Sequence, residues 1–352
     1  MTPVGSQAEL LVRGAAMGIL VLLALRIGAG ARTPARVTGA TFSLAAAGHV
    51  ATQFPPIMEA LGPAAVVAWV FSVMGAGLFW AFALELFGDN PRLRPVRLGP
   101  AAALLVIGVA GRLAPEAVAW AIWLVHNLVG AGLMLHVLLV VWSGWRGDLV
   151  EARRRLRGPL LGLAAVYALA VAVVQTLELY LGQATALSFL AAASLLTLSL
   201  ASGVVFLRED AQLFGAPAPR AARRRIPQRD EALAQRLADA LDRDELWREE
   251  GLSIGSLAQR LGAPEHNLRR LINEGLGYRN FAAFLNERRV AAAKAALADP
   301  AKARISVSAI AYEVGFSSLA PFNRAFRELT GQTPTAWRQG ARSSIPDEAP
   351  RN

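Results

Sequence analysis

Two stretches near the C-terminus, residues 257–277 and 310–331, repeat one order of residue types. Each begins with a short apolar stretch, passes through a glycine and continues into a segment with apolar residues on one side and an arginine on the other. Arg270 and Arg324 occupy equivalent positions in the two stretches, 54 residues apart. Because an arginine can bind two atoms of a guanine base or neutralise a phosphate, the repeat predicts two similar surfaces that bind nucleic acid.

The outward-facing residues of each stretch follow from the period of an α-helix. They are His266, Asn267, Arg269 and Arg270 in the first stretch, and Ser317, Ser318, Asn323 and Arg324 in the second. Ser318 is also placed to cap the helix that follows it, and serine hydroxyls and helix N-termini both suit phosphate. Any one of these side chains could instead be merely solvated, but two correctly repeated units favour a binding surface.

Titratable groups are sparse in the first 206 residues, which hold 8 of the 26 acidic and 13 of the 36 basic residues. Within the apolar runs of this half, His49, His126 and Glu178 are functional candidates, because ionisable groups are costly to place at membrane depth. Three interpretations stay open. These residues form hydrogen bonds between helices or face lipid head groups, they line a ligand pocket, or they take part in a proton relay or catalysis.

The polar groups of the chain match no catalytic or metal-binding pattern. The sequence has no cysteine, which excludes disulfides, thiolate metal sites and cysteine nucleophiles. It also lacks the His-Glu-x-x-His motif with which one helix binds zinc. We therefore expect no catalytic residue, no metal and no cofactor, and a protein that is not an enzyme.

The apolar runs that contain these groups are long enough to cross a membrane. Hydrophobic residues make up 54% of the chain and its mean hydropathy is +0.39, more apolar than soluble domains usually are. A spanning helix needs about 20 mostly apolar residues. The sequence predicts seven spans, at 14–25, 37–58, 60–84, 98–111, 117–145, 158–177 and 179–207. The runs 14–25 and 98–111 are short, and either could instead be an interfacial or re-entrant helix.

The loops between these spans alternate in charge. The first, third and fifth loops hold 11 basic residues, and the other loops hold one. The positive-inside rule then places the N-terminus outside and residue 207 onward in the cytoplasm. Only two of the basic residues are lysines and alanine is abundant, which is typical of a GC-rich bacterial genome. We therefore expect a multi-pass protein of the bacterial inner (cytoplasmic) membrane, with the lipid bilayer as one partner.

Residues 208–250 are predicted to be a linker. Two Ala-Pro pairs and Pro227 oppose a helix at its start, and Arg220 with residues 223–225 could bind anionic lipid. Residues 230–247 then follow the pattern of an amphipathic helix, with leucines at positions 233, 237 and 241. This apolar stripe either packs on the next domain or forms the seam of a homodimer.

Each repeated unit has the local features of a helix-turn-helix. Gly262 and Gly315 suit the tight turn between the two helices, and Gly277 and Gly331 suit the end of the second helix. Between the units, residues 280–297 are predicted to form one long helix that Asp299-Pro300 stops.

Residues 253–338 resemble the DNA-binding domain of the AraC/XylS family of bacterial regulators. The matching stretches are Leu257-Ala258, Leu268-Arg269-Arg270-Leu271-Ile272, Arg289 with Ala293-Lys294, Ile310-Ala-Tyr-Glu-Val-Gly-Phe-Ser-Ser318, Phe322-Asn-Arg-Ala-Phe326 and Gly331-Gln-Thr-Pro-Thr-Ala-Trp-Arg338. The first unit departs from the family pattern, since Pro264 stands where a capping serine or threonine is common and Ile272 where phenylalanine is common.

The resemblance implies a rigid seven-helix domain whose two recognition helices enter successive major grooves of double-stranded DNA, about 34 Å apart. Carried over by position, the residues that face DNA are His266, Arg269 and Arg270 in the first unit and Ser318, Leu319, Ala320, Asn323 and Arg324 in the second. Leu319 and Ala320 would touch thymine methyl groups.

The sequence therefore predicts an all-α protein: a seven-helix transmembrane bundle joined to a C-terminal domain with two helix-turn-helix units. The predicted divisions are a bundle at 1–207, a linker at 208–250, a DNA-binding domain at 251–340 and a disordered tail at 341–352. The predicted function is that of a membrane-bound one-component transcription regulator whose bundle senses a membrane or periplasmic small molecule or a protein. Two alternatives are an intramembrane transporter or enzyme with a regulatory DNA-binding tail, and a bundle that only anchors the chain.

Overall fold

The computed structural model describes residues 3–30, 32–88, 95–144, 147–150, 153–156, 158–159, 162–163, 185–207 and 228–343. These residues form 14 α-helices and no β-strand, which confirms the all-α prediction. The helices of the N-terminal part are α1 (Pro3–Gly28), α2 (Pro34–Thr52), α3 (Pro55–Leu61), α4 (Ala65–Phe87), α5 (Gly99–Leu113), α6 (Glu116–Ser143) and α7 (Thr185–Leu207). Those of the C-terminal part are α8 (Gln228–Asp242), α9 (Ile254–Arg260), α10 (Glu265–Arg270), α11 (Phe281–Ala298), α12 (Val307–Glu313), α13 (Leu319–Thr330) and α14 (Pro334–Ser343).

The chain divides into two compact units. The first, here called the apolar unit, consists of residues 1–145 and 151–218, and the second, the C-terminal unit, of residues 146–150 and 219–352. The C-terminal unit therefore begins earlier than the predicted boundary at 250/251. It also includes residues 146–150, which lie within the predicted bundle at 1–207.

Five helical stretches of the described residues are long and apolar enough to cross a membrane. They are Gln7–Gly28, Pro55–Phe87, Pro95–Leu113, Glu116–Ser143 and Ser188–Phe206. They overlap five of the seven predicted spans, including both short runs, which continue as helix past the arginines that flank them. The predicted span at 158–177 lies almost wholly outside the described residues.

The predicted span at 37–58 differs from the observed helix. Residues 34–52 form α2, which is less apolar than the five stretches above and is not among them. The helix ends at Thr52 because Pro55 and Pro56 follow, and the residue before a proline is driven out of the helical region. Phe54 accordingly adopts an extended conformation, with φ −141° and ψ 104°.

Small residues let the helices of the apolar unit approach closely. A Cβ atom added to Gly48 of α2 would meet the carbonyl oxygen of Ala68 in α4 at 2.6 Å. One added to Gly77 of α4 would meet the Cα atom of Ala101 in α5 at 2.4 Å. Glycine and alanine at helix crossings are typical of helices that pack within lipid, where no hydrophobic force holds them together.

The C-terminal unit has one apolar core, to which α8 contributes. Leu233, Leu237 and Leu241 are buried in this core together with Trp247, which lies in a 3₁₀ turn at Leu246–Arg248. The leucine stripe of α8 thus packs on the DNA-binding domain, which was one of the two predicted alternatives. None of these three leucines is exposed and available for the seam of a homodimer. With α8 included, the described part of the unit has seven helices, the number that the family resemblance implied.

Both predicted helix-turn-helix units form as expected from their glycines. Gly262 lies between α9 and α10 with φ +59°, and Gly315 lies between α12 and α13 with φ +89°. Gly277 and Gly331 end the second helices at φ +82° and +76°, a region that residues with a Cβ atom rarely adopt. The long helix predicted at 280–297 is α11, which Asn280 caps at its start and Asp299-Pro300 follows.

The predicted linker and tail are described only in part. Residues 208–227, with the arginines at 220 and 223–225, lie outside the described residues. Helix α14 continues to Ser343, three residues into the segment predicted as a disordered tail, and residues 344–352 also lie outside.

Candidate nucleic-acid interface

The second helix-turn-helix unit is positioned by aromatic residues on the inner face of α13. Phe322 and Phe326 are fully buried, and their ring centroids lie 5.6 Å apart. Phe316, in the turn, packs against Phe322 with a ring distance of 5.3 Å. Because these residues turn one face of the helix inward, the residues between them lie on the outer face.

All six residues predicted to bind DNA in the second unit are exposed. They are Ser317, Ser318, Leu319, Ala320, Asn323 and Arg324. Within the described part of the chain, no side-chain hydrogen bond or ion pair engages any of them. The first turns of α13 therefore present two hydroxyls, an amide and a guanidinium on one open surface.

Ser318 does not cap α13, although the sequence predicted that it could. It occupies the N-cap position, but its hydroxyl makes no hydrogen bond to the helix. The first turn of α13 also has no acidic residue. Backbone N–H groups at a helix start favour anions, so this end of α13 suits a phosphate.

Gly315 lets the turn of the second unit pack tightly against another part of the domain. A Cβ atom at this position would lie 2.5 Å from the carbonyl oxygen of Arg248, in the 3₁₀ turn after α8. The positive φ and the lack of space both require glycine here. The segment that joins α8 to α9 therefore supports the second unit from behind.

Arg289, in the long helix α11, holds this supporting segment in place. It is buried, its Nε donates to the carbonyl of Trp247 at 2.7 Å, and its Nη2 donates to the carbonyl of Glu249 at 2.9 Å. Its guanidinium also lies 5.5 Å from the ring centre of Phe316. Burial lowers the pKa of Arg289 from its usual value. The sequence matched Arg289 to the family but did not indicate this role.

The first unit begins with a well-capped helix and then differs from the second. Ser253 and Ser256 form a reciprocal capping box at the start of α9. Pro264, at the N-cap of α10, provides no side-chain cap. Helix α10 itself has six residues and continues into a π-helical turn at Leu271–Gly275. The recognition helix of this unit is thus shorter than α13 and less regular.

Arg269 does not lie on the outer face of the first unit, where the sequence placed it. It is only 6% exposed, and its Nη1 donates to the backbone carbonyl of Asp148 at 2.6 Å. Its Nε donates to a carboxylate oxygen of Glu265 at 2.8 Å. The prediction took α10 as a simple two-faced helix and did not anticipate that a segment 121 residues away would cover one side of it.

Arg270 also has a partner from outside the repeated unit. Its Nη2 lies 3.1 Å from a carboxylate oxygen of the buried Asp230 in α8, and its side chain is 32% exposed. Of the other residues predicted for this unit, His266 is exposed and Asn267 is half-buried. Both arginines of the first unit are therefore occupied within the chain, whereas Arg324 of the second is not held by any described residue.

Of the three residues predicted to line a ligand pocket, the structure describes His49 and His126. The Nδ1 atom of His49 lies 3.3 Å from the hydroxyl of Ser72, and the Nε2 atom of His126 lies 3.1 Å from the carbonyl of Val73. Each of the two histidines thus forms a hydrogen bond to a residue of α4. Glu178 lies outside the described residues.

A different polar cluster, which the sequence analysis missed, lies within the apolar unit. Glu9 and Arg13 of α1 are 0% and 1% exposed and form an ion pair of 2.8 Å. The hydroxyl of Ser188 in α7 donates to Glu9 Oε1 at 2.6 Å. Glu9 Oε2 and Arg13 Nη1 are buried and have no hydrogen-bond partner among the residues that the structure describes. The spacing of four between Glu9 and Arg13 along one helix is the signal that the sequence offers for this ion pair.

The described residues contain no group of three or more histidine, aspartate or glutamate side chains placed to hold a metal ion.

Comparison with known proteins identifies the C-terminal domain. Residues 257–340 match a family of helix-turn-helix domains. Two uncharacterised HTH-type transcriptional regulators of Staphylococcus aureus, from strains MSSA476 and N315, are each 38% identical to this chain over 101 residues. The matched segment is 29% of this chain and only 13% of either regulator. No solved structure matches the chain.

The chain therefore carries a C-terminal helix-turn-helix domain of the AraC type. The family match does not include the apolar unit.

Proposed function

We propose that this protein is a membrane-bound one-component transcription regulator that binds specific DNA sequences through its C-terminal domain. The observation that carries this proposal is the open outer face of α13, where Asn323 and Arg324 stand beside Ser317 and Ser318. Asparagine reads adenine and arginine reads guanine in the major groove, and the two serines with the helix start suit the adjacent phosphates. The similarity to HTH-type transcriptional regulators supports the same function.

The surface of the apolar unit supports a membrane location. In the five long apolar stretches, only 11 to 33% of residues are buried inside the structure. Large apolar side chains such as Leu11, Leu113 and Trp142 are more than two-thirds exposed. Soluble proteins rarely expose apolar surface on this scale, whereas lipid hydrocarbon would cover it without cost.

The orientation of the protein follows from charge. The excess of basic residues in the loops on one side of the predicted spans places that side, and the C-terminal domain, in the cytoplasm of a bacterial cell. DNA is accessible only there. The inner membrane location and the DNA-binding function are thus consistent with each other.

The DNA-binding proposal is tested by Arg324→Ala in the full-length protein, reconstituted in a bilayer nanodisc. Its target sites are first mapped genome-wide, and the affinity for one such site is then measured. If Arg324 contacts a base, the variant should lose about 1–3 kcal/mol of binding free energy, which makes its affinity roughly 5- to 150-fold weaker. Arg243→Ala is the matched control, because this arginine is 82% exposed and lies outside both helix-turn-helix units. Equal affinity of Arg324→Ala and wild type would contradict the assignment of α13.

We further propose that the apolar unit senses a small molecule at the buried cluster of Glu9, Arg13 and Ser188. A buried ion pair is costly unless every polar atom has a partner, and among the described residues one carboxylate oxygen and one guanidinium nitrogen have none. A ligand with one hydrogen-bond donor and one acceptor would satisfy both atoms. The ring of Phe54 also lies 5.5 Å from the guanidinium of Arg13.

The sensing proposal is tested with a reporter gene behind a mapped target site. Cells carrying wild type, Glu9→Gln or Arg13→Gln are grown across a panel of conditions, with the amount of membrane-inserted protein measured in parallel. Sensing predicts that the variants keep DNA binding but lose the change in reporter output. A wild-type response in both variants, at equal protein level, would assign the cluster a structural role only.

A further inference from the structure

A four-residue segment that follows α6 is built into the C-terminal unit. Residues 147–150 come three residues after Gly144, the C-cap of α6, yet they group with residues 219–352. The backbone N–H of Leu149 donates to the carbonyl of Arg279 at 3.0 Å, and the N–H of Phe281 donates to the carbonyl of Gly147 at 3.0 Å. These two bonds flank an antiparallel bridge between Asp148 and Asn280. We call residues 147–150 the strap.

The strap is buried where it meets the domain. Leu149 is 3% exposed and belongs to the same apolar core as the helix-turn-helix residues, and Val150 is buried as well. The carboxylate of Asp148 accepts from the N–H of Val150 at 3.0 Å, which fixes the turn at the end of the strap. The strap thus occupies a defined position beside the start of α11.

The strap also holds a residue of the first recognition helix. The carbonyl oxygen of Asp148 accepts a hydrogen bond from Arg269 Nη1, and the same guanidinium binds Glu265 at the start of α10. Arg269 is therefore directed inward. The family resemblance places this arginine toward DNA, so the docked strap and a DNA contact by Arg269 exclude each other.

The position of the strap in the chain connects it to the apolar unit. Helix α6 is a 28-residue helix, apolar enough to span a membrane, and it ends just before the strap. The charge pattern places this end of α6 on the cytoplasmic side. A shift of α6 along or about its axis would therefore pull on the strap directly, without passing through the linker at 208–227.

We propose that the strap is an autoinhibitory contact that couples the apolar unit to the first helix-turn-helix unit. Docked, it holds Arg269 inward and leaves DNA reading to the second unit. Undocked, it releases Arg269 and allows both units to bind successive major grooves. The contact is small, with one bridge, the buried Leu149 and Val150 and the hydrogen bond to Arg269, and this suits a switch. A small difference in binding between two states is enough to move such an equilibrium. This inference rests on the proposed DNA-binding function.

The absence of cysteine from the chain allows the strap to be locked by design. Because the two flanking hydrogen bonds join the neighbours of Asp148 and Asn280, these two residues form a non-hydrogen-bonded pair, with Cα atoms about 4.5 Å apart. This separation lies within the range of about 4.4–6.8 Å that a disulfide requires. Oxidation of the double variant Asp148→Cys/Asn280→Cys should therefore lock the strap, and reduction of the same protein provides the control.

The experiment compares DNA binding of the full-length protein in nanodiscs with the strap locked or open. One probe is a mapped target site. The other is the same site with a scrambled sequence in the half that the first helix-turn-helix unit protects. We expect the oxidised double variant to bind both probes equally, and the reduced form to prefer the intact site at least tenfold. Leu149→Ser, which removes the buried anchor, should bind the intact site at least as tightly as the reduced form and extend the footprint over the first half-site.

Equal affinity and equal footprints of the oxidised and reduced forms would overturn the strap proposal, provided that Arg324→Ala still weakens binding. If Arg324→Ala has no effect either, the DNA-binding proposal itself fails. Leu329→Ser is the matched control for Leu149→Ser, because Leu329 is half exposed on α13. If Leu149→Ser and the control both lose binding, contrary to expectation, the loss reflects general damage from the change to serine. The comparison of the oxidised and reduced forms of the double variant then decides the outcome.

Discussion

The two helix-turn-helix units have the same order of residues but present different surfaces. In the second unit, all the predicted contact residues are exposed, on α13 and in the two residues before it, and they include Arg324. In the first, Arg269 is turned inward to Asp148 and Arg270 is paired with Asp230. Both partners come from segments outside the repeat, the strap and α8. The difference teaches that a repeat in sequence predicts equal architecture but not equal availability of its functional residues.

The starts of the two recognition helices differ in charge as well. Helix α10 begins with Glu265, whose carboxylate binds Arg269, whereas the first turn of α13 has no acidic residue. A carboxylate at a helix start competes with phosphate for the same positive end of the helix dipole. The second unit is therefore the better anion site in this state of the molecule, and the first is the one open to regulation.

The largest expected difference between the units concerns their turn glycines. Gly315→Ala should destabilise its unit by about 3 kcal/mol, because it adds both a left-handed backbone strain and a clash with the carbonyl of Arg248. Gly262→Ala meets only the side-chain end of Arg236, at 3.7 Å, so it should cost about 1 kcal/mol from strain alone.

Amide hydrogen exchange in the full-length protein measures this difference. The opening free energy of amides in α12 and α13 is compared with that of amides in α9 and α10. If Gly315→Ala and Gly262→Ala lower the opening free energy of their own units by the same amount, the turn of the second unit is not packed against the segment after α8.

A smaller effect is expected from the buried arginine that supports the second unit. Arg289→Met removes the two hydrogen bonds from this side chain to the carbonyls of Trp247 and Glu249, at a cost of about 2 kcal/mol. Arg288→Met is the neighbouring control. The Arg288 side chain is one-third exposed, and its ion pair with Asp242 is long, at 3.6 Å, so the pair contributes less than about 1 kcal/mol.

The difference between these two variants should appear as a lower thermal midpoint for Arg289→Met and a larger increase in exchange in the second unit than in the first. Matching midpoints for Arg288→Met and Arg289→Met would contradict the supporting role of Arg289.

The smallest expected effect concerns the ion pair of the first unit. Asp230→Asn removes the charge that holds Arg270 and should tighten DNA binding by about 0.5 kcal/mol, roughly twofold, since Arg270 is then available to phosphate. Asp239→Asn, which changes an exposed aspartate on the same helix that accepts only from Gln235, should leave the affinity unchanged. Weaker binding by Asp230→Asn would mean that the pair positions Arg270 for DNA and does not withhold it.

Much of the fold was predictable from local patterns. The apolar runs, the long helix α11 and the four glycines at positive φ all follow from hydropathy, from period or from the steric freedom of glycine, each within a few residues of sequence. Ser318 shows the limit of this reasoning. A serine at the N-cap position has the right residue type, but whether its hydroxyl turns to the helix depends on a rotamer that the sequence does not specify.

The sequence by itself determined that the chain is all-α, that an apolar half precedes a helix-turn-helix domain, and which residues each recognition helix offers. Only the tertiary structure decided which of those residues are paired within the chain and therefore not available to DNA. The contacts of Arg269 with Asp148, of Arg270 with Asp230 and of Glu9 with Ser188 join residues 121, 40 and 179 positions apart. The physical reason is that helix period and turn chemistry act over a few residues, whereas the partner of a buried charge is chosen by the packing of distant segments. The two units that look equivalent along the chain therefore differ in what they can bind.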